Sequence, residues 1–377
     1  MLRGPIIVCL LAAAYPVVIY PVLVLLVARL WPRPWKSGTY HGHIAHVIAV
    51  YNEEKRIRGK LENSLGLAIP DGCTLETIVT SDGSSDGTED AVREFADRGV
   101  KLVAVPRLGK ETAQIAAIRK TSAPIIVFSD ASALIERSAL VPLFAPFEDP
   151  EVLAVSGTDV VRRNAPPTGE DLYVRYEMEV RRAECVAGSL IGLSGCFFAV
   201  RRQIAEAFDS HVTSDMGSAL LAIRQGGRAV AADEARCTYQ TTRAMSAEFQ
   251  RKRRTVLRGL WCIWEFRELL FRKPRIVAWE ILSHKWCRFA VPVWLLLAAI
   301  LIATEMAISR YWLHWGLIVM GTAAILGVLG LVSIRLRKIF LAKAFAFFTI
   351  SLAAVLFAWL DFLRGKDEVT WTPTVRL

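Results

Sequence analysis

The sequence predicts an α/β fold, a doubly wound and mostly parallel sheet, with transmembrane helices at both ends of the chain. Between residues 46 and 129, short β-branched runs alternate with helical patterns, which is typical of a parallel sheet with helices on both faces. The chain is also very apolar, with 53% hydrophobic residues among 377 and a mean hydropathy of +0.36. This composition is too apolar for a purely soluble protein, so part of the chain is expected in a membrane.

The first apolar segment, residues 6–30, carries no charge before Arg29. It is long enough to cross about 30 Å of hydrocarbon, and Trp31 and Arg33 follow it as interfacial residues. A cleavable signal peptide is the alternative, but its apolar region is usually about 7–15 residues long. We therefore expect a transmembrane anchor at residues 1–36.

Three more apolar runs, residues 289–308, 313–334 and 340–363, each have the length of a membrane span. Buried core helices are the alternative, and three nearly charge-free runs in succession make it the weaker one. Basic residues after the first span place residues 31 to about 285 in the cytoplasm. The predicted division of the chain is an anchor at 1–36, a cytoplasmic α/β domain at 37–245, basic amphipathic interfacial helices at 246–288, three spans at 289–363 and a tail at 364–377.

The formal net charge of +10 indicates anionic partners. No nucleic-acid-binding module is recognisable, so nucleic acid is not an expected partner. The basic residues crowd into "FQRKRRTVLRGLW" and "FRKPR", which favours a surface rich in anionic lipid together with a phosphorylated substrate. The seven cysteines show no paired metal spacing and are expected to be reduced thiols.

The elements predicted in the α/β region are, in order, strand "HVIAV", helix 53–67, strand "LETIVTS", helix 87–97, strand "KLVAV", helix 110–120 and strand "PIIVFS". Ligands bind at the carboxyl ends of the strands in such sheets. Polar residues stand after these strands: Tyr51, Asn52, Glu53, Asp82, Lys110, Ser129, Asp130 and Ser132. A nucleotide and a divalent cation would satisfy this set of side chains. We interpret Asp86, in the turn after the second strand, as a helix cap.

Four stretches, "AVYNE", "SDGSSDGT", "GK" and "FSDAS", resemble in order and spacing the nucleotide-sugar-binding half of the family-2 inverting glycosyltransferases, which include membrane polysaccharide synthases. The resemblance covers about residues 44–260. It implies a GT-A-like fold and metal-dependent, inverting hexosyl transfer from a nucleotide-diphosphate sugar.

The same resemblance implies roles for residues after the first three strands. Tyr51 and Glu53 would border the nucleoside, and Asp82 would accept hydrogen bonds from the base or the ribose. Lys110 would lie near the same nucleotide.

The metal is implied by Asp130, which matches the first acid of the family's Asp-x-Asp signature. Mg²⁺ or Mn²⁺ would bridge Asp130 to the diphosphate. Ser132 stands where the second acid is often found, so it would ligate directly or through water, with one negative charge fewer.

Inverting transfer needs a base that removes the acceptor hydroxyl proton. Asp215 aligns with the acid that the family carries at the start of a helix, while Ser214 stands where a preceding acid is usual. The alternative is a helix-terminal residue stabilised by the dipole. Ahead of it, "GLSGC" matches the family's acceptor loop, where Ser194 and Gly195 allow a sugar ring to approach the backbone.

A Gln-x-x-Arg-Trp signature of the processive synthases is altered here to Gln250, Arg253 and Arg254. The three positions share a helix face, and the two guanidinium groups would clamp the diphosphate. A basic helix lying on the membrane surface is the alternative. The absent tryptophan weakens the case for processive synthesis. Trp371 resembles a tail found on the catalytic side in related synthases, which conflicts with three later spans unless one segment is re-entrant.

Two hypotheses of function follow. The first is a membrane-embedded transferase that acts on a polysaccharide or lipid-linked acceptor, in contact with membrane lipids and with export or assembly subunits. The second is a catalytically silent nucleotide-sugar-binding subunit, which Ser132, Ser214 and Arg254 favour. The retained Asp82, Asp130, Asp215, Gln250 and Arg253 favour the enzyme. The expected location is a bacterial inner membrane, with the catalytic domain in the cytoplasm.

Overall fold

The computed structural model describes residues 2–161, 169–239, 245–272, 274–308, 321 and 340–367. The chain begins with helices α1 (Arg3–Ala14) and α2 (Tyr20–Leu30), which are joined without a break by a π-helical turn, Tyr15–Ile19. A long extended segment then leads to the first strand. Within the described ranges, two helices are long and apolar enough to cross a membrane, Arg3–Leu30 and Arg275–Ile308.

An eight-stranded mixed sheet forms the centre of the α/β domain, in the order β3-β2-β1-β4-β7-β6-β8-β5. Its strands are β1 (Gly42–Val50), β2 (Cys73–Asp82), β3 (Val100–Val105), β4 (Ile125–Asp130), β5 (Leu134–Ile135), β6 (Val152–Val161), β7 (Phe197–Arg201) and β8 (Arg228–Tyr239). The first four strands pair in parallel. β7 pairs antiparallel with both β4 and β6, and β6 pairs in parallel with β8.

The parallel half exists because its strands are apolar runs that can be buried on both faces. All residues of β1 from Ala45 to Val50 are buried. Helices cover the sheet: α3 (Glu54–Leu65), α4 (Thr88–Arg93), α5 (Lys110–Ile118), α6 (Leu140–Phe144), α7 (Gly169–Ala187), α8 (Arg202–Glu206) and α9 (Ser214–Arg224). The predicted α/β class and the four parallel strands are therefore confirmed.

Aromatic side chains fill the core at the junction of the two halves of the sheet. Phe128 of β4 stacks on Phe198 of β7 with ring centroids 5.0 Å apart, and on Phe208 at 5.4 Å. Phe128 and Phe198 are almost completely buried. Burying one such ring contributes about 1.5–3 kcal/mol, so this stack stabilises the junction of β4 with β7.

After the sheet come α10 (Met245–Glu265), α11 (Arg275–Glu280), a π-helical turn (Ile281–Trp286), α12 (Cys287–Ile308) and α13 (Phe340–Leu363). α13 lies against α10, where Ala358 packs with Leu257 and Leu260. The expected spans at 289–308 and 340–363 therefore correspond to helices. The span expected at 313–334 and the tail with Trp371 lie outside the described residues.

Candidate functional site

A cavity of about 420 Å³ opens at the carboxyl ends of β1 and β4. Its walls come from the ends of β1, β4 and β6, the starts of α5 and α9, the loops after β4 and before β7, the helices α7 and α10, and the turn before α12. Residues contributed by these elements include Glu53, Lys110, Asp130, Ser132, Gly195, Asp215, Arg254, Arg258 and Lys285. Residues that are far apart in sequence thus meet in one chamber.

Asp130 and Lys110 form an ion pair at the wall of this cavity. The Lys110 Nζ lies 2.7 Å from the Asp130 Oδ1. Burial alone would lower the pKa of Lys110, but the Asp130 carboxylate beside it raises that pKa. Both side chains stay partly exposed to the cavity, so an entering cation and phosphate can exchange partners with this pair.

Asp82 organises the loop that carries Lys110. Its carboxylate is fully buried, accepts hydrogen bonds from the backbone N–H groups of Leu108 (2.8 Å) and Gly109 (2.9 Å), and pairs with the Arg107 guanidinium. The same guanidinium lies 3.3 Å from the ring centroid of Tyr51. Asp82 and Tyr51 therefore shape the loop next to the cavity and are not among the residues that line it.

Gly83, directly after Asp82, adopts a positive φ of 67°. A Cβ atom at this position would lie 2.7 Å from the backbone nitrogen of Arg107. Only glycine combines this conformation with so close an approach of the neighbouring loop. The turn between β2 and α4 is thus fixed to the loop before α5.

Asp86 acts as a helix cap, as its sequence context predicted. Its Oδ1 accepts a hydrogen bond from the Thr88 backbone N–H at 3.0 Å, at the start of α4. Its Oδ2 accepts one from the backbone N–H of Glu54 at 3.3 Å. The carboxylate therefore satisfies free donors of two helices, which explains an acid here without a ligand.

The loop before β7 brings a glycine against the predicted base. A Cβ atom at Gly195 would lie 3.2 Å from Asp215 Oδ2. The other oxygen, Oδ1, accepts a hydrogen bond from the Met216 backbone N–H at 2.7 Å. One oxygen of Asp215 is thus engaged at the helix start, while the other faces the bare backbone of Gly195.

Ser194, in the same loop, is buried. Its hydroxyl donates to the Asp159 carboxylate and accepts from the backbone N–H groups of Cys196 (3.2 Å) and Phe197 (3.1 Å). Burial raises the pKa of Asp159, which also lines the cavity. Ser194 therefore braces the loop, and Asp159 is an acid that sequence reasoning missed.

The basic helix α10 presents different faces to different partners. Arg254 and Arg258 line the cavity, and the Arg258 Nη2 lies 2.9 Å from the Glu111 Oε2 of α5. Arg253 instead pairs with Asp361 of α13, with its Nε 2.5 Å from the Asp361 Oδ2. Gln250 is exposed on the surface. Of the three residues in the altered signature, Arg254 is the one that lines the cavity.

The structure brings together seven of the predicted site residues: Glu53, Lys110, Asp130, Ser132, Gly195, Asp215 and Arg254. It places five beside or away from the cavity lining: Tyr51, Asp82, Ser194, Gln250 and Arg253. Further lining residues that the sequence did not single out are Glu111, Asp159, Glu177, Arg181, Glu184, His284 and Lys285. The position of Arg181 in the stretch "YEMEVRRAEC", inside the region of resemblance, was the available signal for that residue.

The cavity offers few closely grouped oxygen ligands for a divalent cation. Among the described residues, no group of three or more His, Cys, Asp or Glu side chains could hold a metal ion. Mg²⁺ and Mn²⁺ are often held by one or two protein oxygens together with substrate phosphates and waters. Asp130 and Ser132 fit a cation that is held largely by the substrate.

A GT-A-type sheet with a nucleotide-sized cavity at its strand ends and an acid on each wall is the architecture of a glycosyltransferase domain. Residues 46–208 match the family model of glycosyl transferase family 2. A curated relative, the poly-beta-1,6-N-acetyl-D-glucosamine synthase of Staphylococcus epidermidis, is 28% identical over 160 residues. The match covers 41% of this chain and 38% of that relative, so the chain spans about two fifths of the relative's length.

A solved structure shares the fold over nearly the whole chain. It is the mannosyltransferase PcManGT from Pyrobaculum calidifontis in complex with GDP-Man and Mn²⁺, with a TM-score of 0.71 and 24% identity. The alignment covers 97% of this chain and 100% of that one. At this identity the similarity establishes the fold, which includes the helices at both ends of the chain.

Proposed function

We propose that this protein is a membrane-anchored glycosyltransferase that moves a sugar, with inversion, from a nucleotide-diphosphate sugar to a polysaccharide or a lipid-linked acceptor. The observation that supports this most directly is the placement of Asp130 and Asp215 on the walls of one cavity. Asp130 can serve the diphosphate side and Asp215 the acceptor side. The match of residues 46–208 to the family model supports this reaction class.

On the donor side, Asp130 and Ser132 would hold Mg²⁺ or Mn²⁺, which neutralises charge on the leaving diphosphate when bound. Lys110 lies at hydrogen-bond distance from Asp130 and can turn toward a phosphate oxygen. Arg254 contributes a second cation to the same chamber. These groups stabilise the charge that develops as the sugar–phosphate bond breaks.

On the acceptor side, the Asp215 Oδ2 takes the proton of the attacking hydroxyl group. Gly195 leaves room beside this oxygen because a side chain there would come within contact distance of the carboxylate. Attack from this side, opposite the diphosphate, gives inversion at the anomeric carbon. Asp215 therefore acts as general base in this proposal.

Membrane attachment rests on the exposed apolar helices. In the helix Arg3–Leu30, Ile7 is 57% exposed, Val8 60% and Leu11 55%. So many exposed apolar side chains in succession are costly in water and favourable in hydrocarbon. We propose that Arg3–Leu30 and Arg275–Ile308 span a bacterial inner membrane, with the catalytic domain in the cytoplasm.

The test is to incubate the purified full chain with a panel of nucleotide sugars and Mn²⁺, and to measure release of nucleotide diphosphate and transfer to added acceptors. Release with transfer, lost in Asp215→Asn, supports the enzyme. If the chain binds a nucleotide sugar but neither releases nucleotide diphosphate nor transfers sugar under any condition, the hypothesis of a catalytically silent binding subunit is favoured instead.

A further inference from the structure

Two cations on the cavity wall are not in direct contact with any carboxylate of the described residues. Among the described residues, neither Arg181 of α7 nor Lys285 of the π-helical turn takes part in an ion pair, and the Lys285 ammonium group forms no hydrogen bond. Both line the cavity. Their like charges repel each other, while Glu177 and Glu184 attract Lys285 without forming an ion pair with it.

Both cations meet at the backbone of Gly192. The Arg181 Nη2 donates to the Gly192 carbonyl oxygen at 3.1 Å and to the Ser156 hydroxyl at 2.8 Å. A Cβ atom at Gly192 would lie 3.6 Å from the Lys285 Nζ. The absence of a side chain at this glycine thus leaves space beside the ammonium group.

The nearby acids are already occupied by other partners. Glu177 accepts from His284 at 2.9 Å and from Arg288 at 2.5 Å. Glu184 accepts from the Tyr20 hydroxyl and from the other ring nitrogen of His284, each at 2.5 Å. These acids are therefore held by groups other than Lys285, and its three N–H donors remain for a ligand.

Arg181 and Lys285 lie where both candidate membrane helices meet the α/β domain. Lys285 belongs to the helix Arg275–Ile308. The helix that carries Arg181 packs through Val180, Ala183 and Ala187 against Tyr20 and Val24 of α2. A ligand that reaches Lys285 therefore arrives next to the membrane-facing part of the protein.

From this geometry we propose that Arg181 and Lys285 bind the phosphate group of a lipid-linked acceptor, which enters the cavity from the membrane side. The proposal rests on the proposed glycosyl transfer and names its acceptor class. The donor diphosphate is assigned to Asp130 and Lys110, so this phosphate would be a second one in the same cavity. A phosphate ester supplies the oxygen acceptors that a guanidinium and an ammonium group bind best.

The test measures binding to the purified full chain in detergent by tryptophan fluorescence, without turnover. The probes are farnesyl phosphate, farnesol and inorganic phosphate, and GDP and UDP with Mn²⁺ report on the donor site. The variants are Lys285→Met, Lys285→Arg and Gly192→Ala, with Lys120→Met as a control because Lys120 is exposed on the α/β domain.

We expect Lys285→Met to weaken farnesyl phosphate binding about 10- to 100-fold, the usual effect of losing a charged hydrogen bond. Lys285→Arg should stay within about threefold of the parent, since it keeps the charge. Gly192→Ala should also weaken binding, because its methyl group fills the space beside the ammonium. Farnesol binding and nucleotide affinity should be the same in all variants.

Three results would overturn the proposal. Equal affinity for farnesol and farnesyl phosphate would show that the phosphate group is not recognised. Equal affinity for inorganic phosphate and farnesyl phosphate would show that the lipid chain is not recognised. A loss of GDP or UDP affinity in Lys285→Met, with unchanged farnesyl phosphate binding, would assign the lysine to the donor. Failure of the proposed function is seen separately, as no release of nucleotide diphosphate by the unaltered chain.

Discussion

The Lys110 ammonium lies 2.7 Å from the Asp130 carboxylate, so the two charges that are expected to handle the donor diphosphate already neutralise each other. A lysine and a carboxylate in direct contact resist desolvation better than either charge alone. When a cation and a diphosphate enter, the carboxylate can bind the cation and the ammonium can bind a phosphate oxygen. The ion pair thus holds one negative and one positive charge at the place where the cation and the diphosphate are expected to bind.

Asp130→Asn tests this arrangement. The substitution removes the charge that would bind the cation, so Mn²⁺-dependent release of nucleotide diphosphate should fall at least about 10²-fold. The matched control is Asp86→Ala, which removes the carboxylate that accepts from the backbone N–H groups of Thr88 and Glu54. It should cost about 1 kcal/mol of stability and leave turnover of the folded protein nearly unchanged. Full activity in Asp130→Asn would refute the metal assignment.

Ser132→Asp restores the acid that the Asp-x-Asp pattern lacks. Because a second carboxylate adds a negative charge and up to two ligand atoms, Mn²⁺ should bind about tenfold more tightly in the presence of nucleotide diphosphate. Ser138→Asp is the control, since Ser138 is exposed in the same loop region. A titration followed by the electron paramagnetic resonance of Mn²⁺ measures the change. If Ser132→Asp and Ser138→Asp behave alike, residue 132 does not face the ion.

The two arginines that end the altered signature should differ in their effects. Arg253 pairs with Asp361, which is only 4% exposed, whereas Arg254 lines the cavity. Arg253→Met and Asp361→Asn should each lower the melting temperature and couple in a double-mutant cycle by about 0.5–3 kcal/mol. Arg254→Met should instead raise the KM for the nucleotide sugar. Reversed effects would place the diphosphate clamp on Arg253.

The four parallel strands were predictable because each is a continuous apolar run between turn residues. β8 was not predicted, since its sequence "RAVAADEARCTY" mixes charges with apolar residues and its burial is irregular. The strand pairs β6 in parallel with register shifts after Val152 and Ser156, which no short pattern indicates. The part of the sheet formed by β6, β7 and β8 therefore could not be predicted from short sequence patterns.

The residues of the candidate site also include some that the sequence could predict and some that it could not. Glu53, Lys110 and Asp130 follow parallel strands, and the topology alone brings them to one edge of the sheet. Which of Arg253 and Arg254 reaches the cavity depends on the rotation of α10, which is set by packing against α13. Arg181 and Lys285 lie on helices more than 100 residues apart, so no local spacing predicts that they meet at Gly192.

A pH-dependent prediction concerns Lys60, which is buried beneath the loop of Asp130. Its Nζ donates to the Ala133 carbonyl oxygen at 2.7 Å, and burial lowers the pKa of Lys60 to about 8. Between pH 8 and the unfolded pKa of about 10.5, the unfolded chain binds more protons, so this lysine makes stability rise with pH. The full effect corresponds to about 3 kcal/mol.

Lys60→Met removes this titration. The difference in melting temperature between Lys60→Met and the parent should therefore shift in favour of the parent as the pH rises from 7 to 10. Lys55→Met, an exposed position on the same helix, is the control and should show a constant difference. A constant difference for Lys60→Met as well would mean that the buried lysine keeps an ordinary pKa.

The last prediction concerns Asp215. Two other acids lie near Asp215 in sequence but do not line its cavity. Asp209, before α9, lines a separate cavity and accepts a hydrogen bond from the His211 backbone N–H at 2.9 Å. Asp233, in β8, accepts a hydrogen bond from Arg182 at 2.8 Å. Asp215→Asn keeps the size and the hydrogen bond from Met216 but removes the proton acceptor. Transfer should fall about 10²- to 10⁴-fold with nucleotide affinity unchanged. A role limited to the helix terminus predicts instead a stability loss of about 1 kcal/mol with nearly normal turnover.

Nucleotide affinity, melting temperature and transfer rate, measured on one preparation, separate these two roles. Asp209→Asn serves as the control and should leave the transfer rate within a few-fold of the parent. If Asp215→Asn does the same, the base lies elsewhere, and Asp159 is the next acid on the cavity wall to substitute.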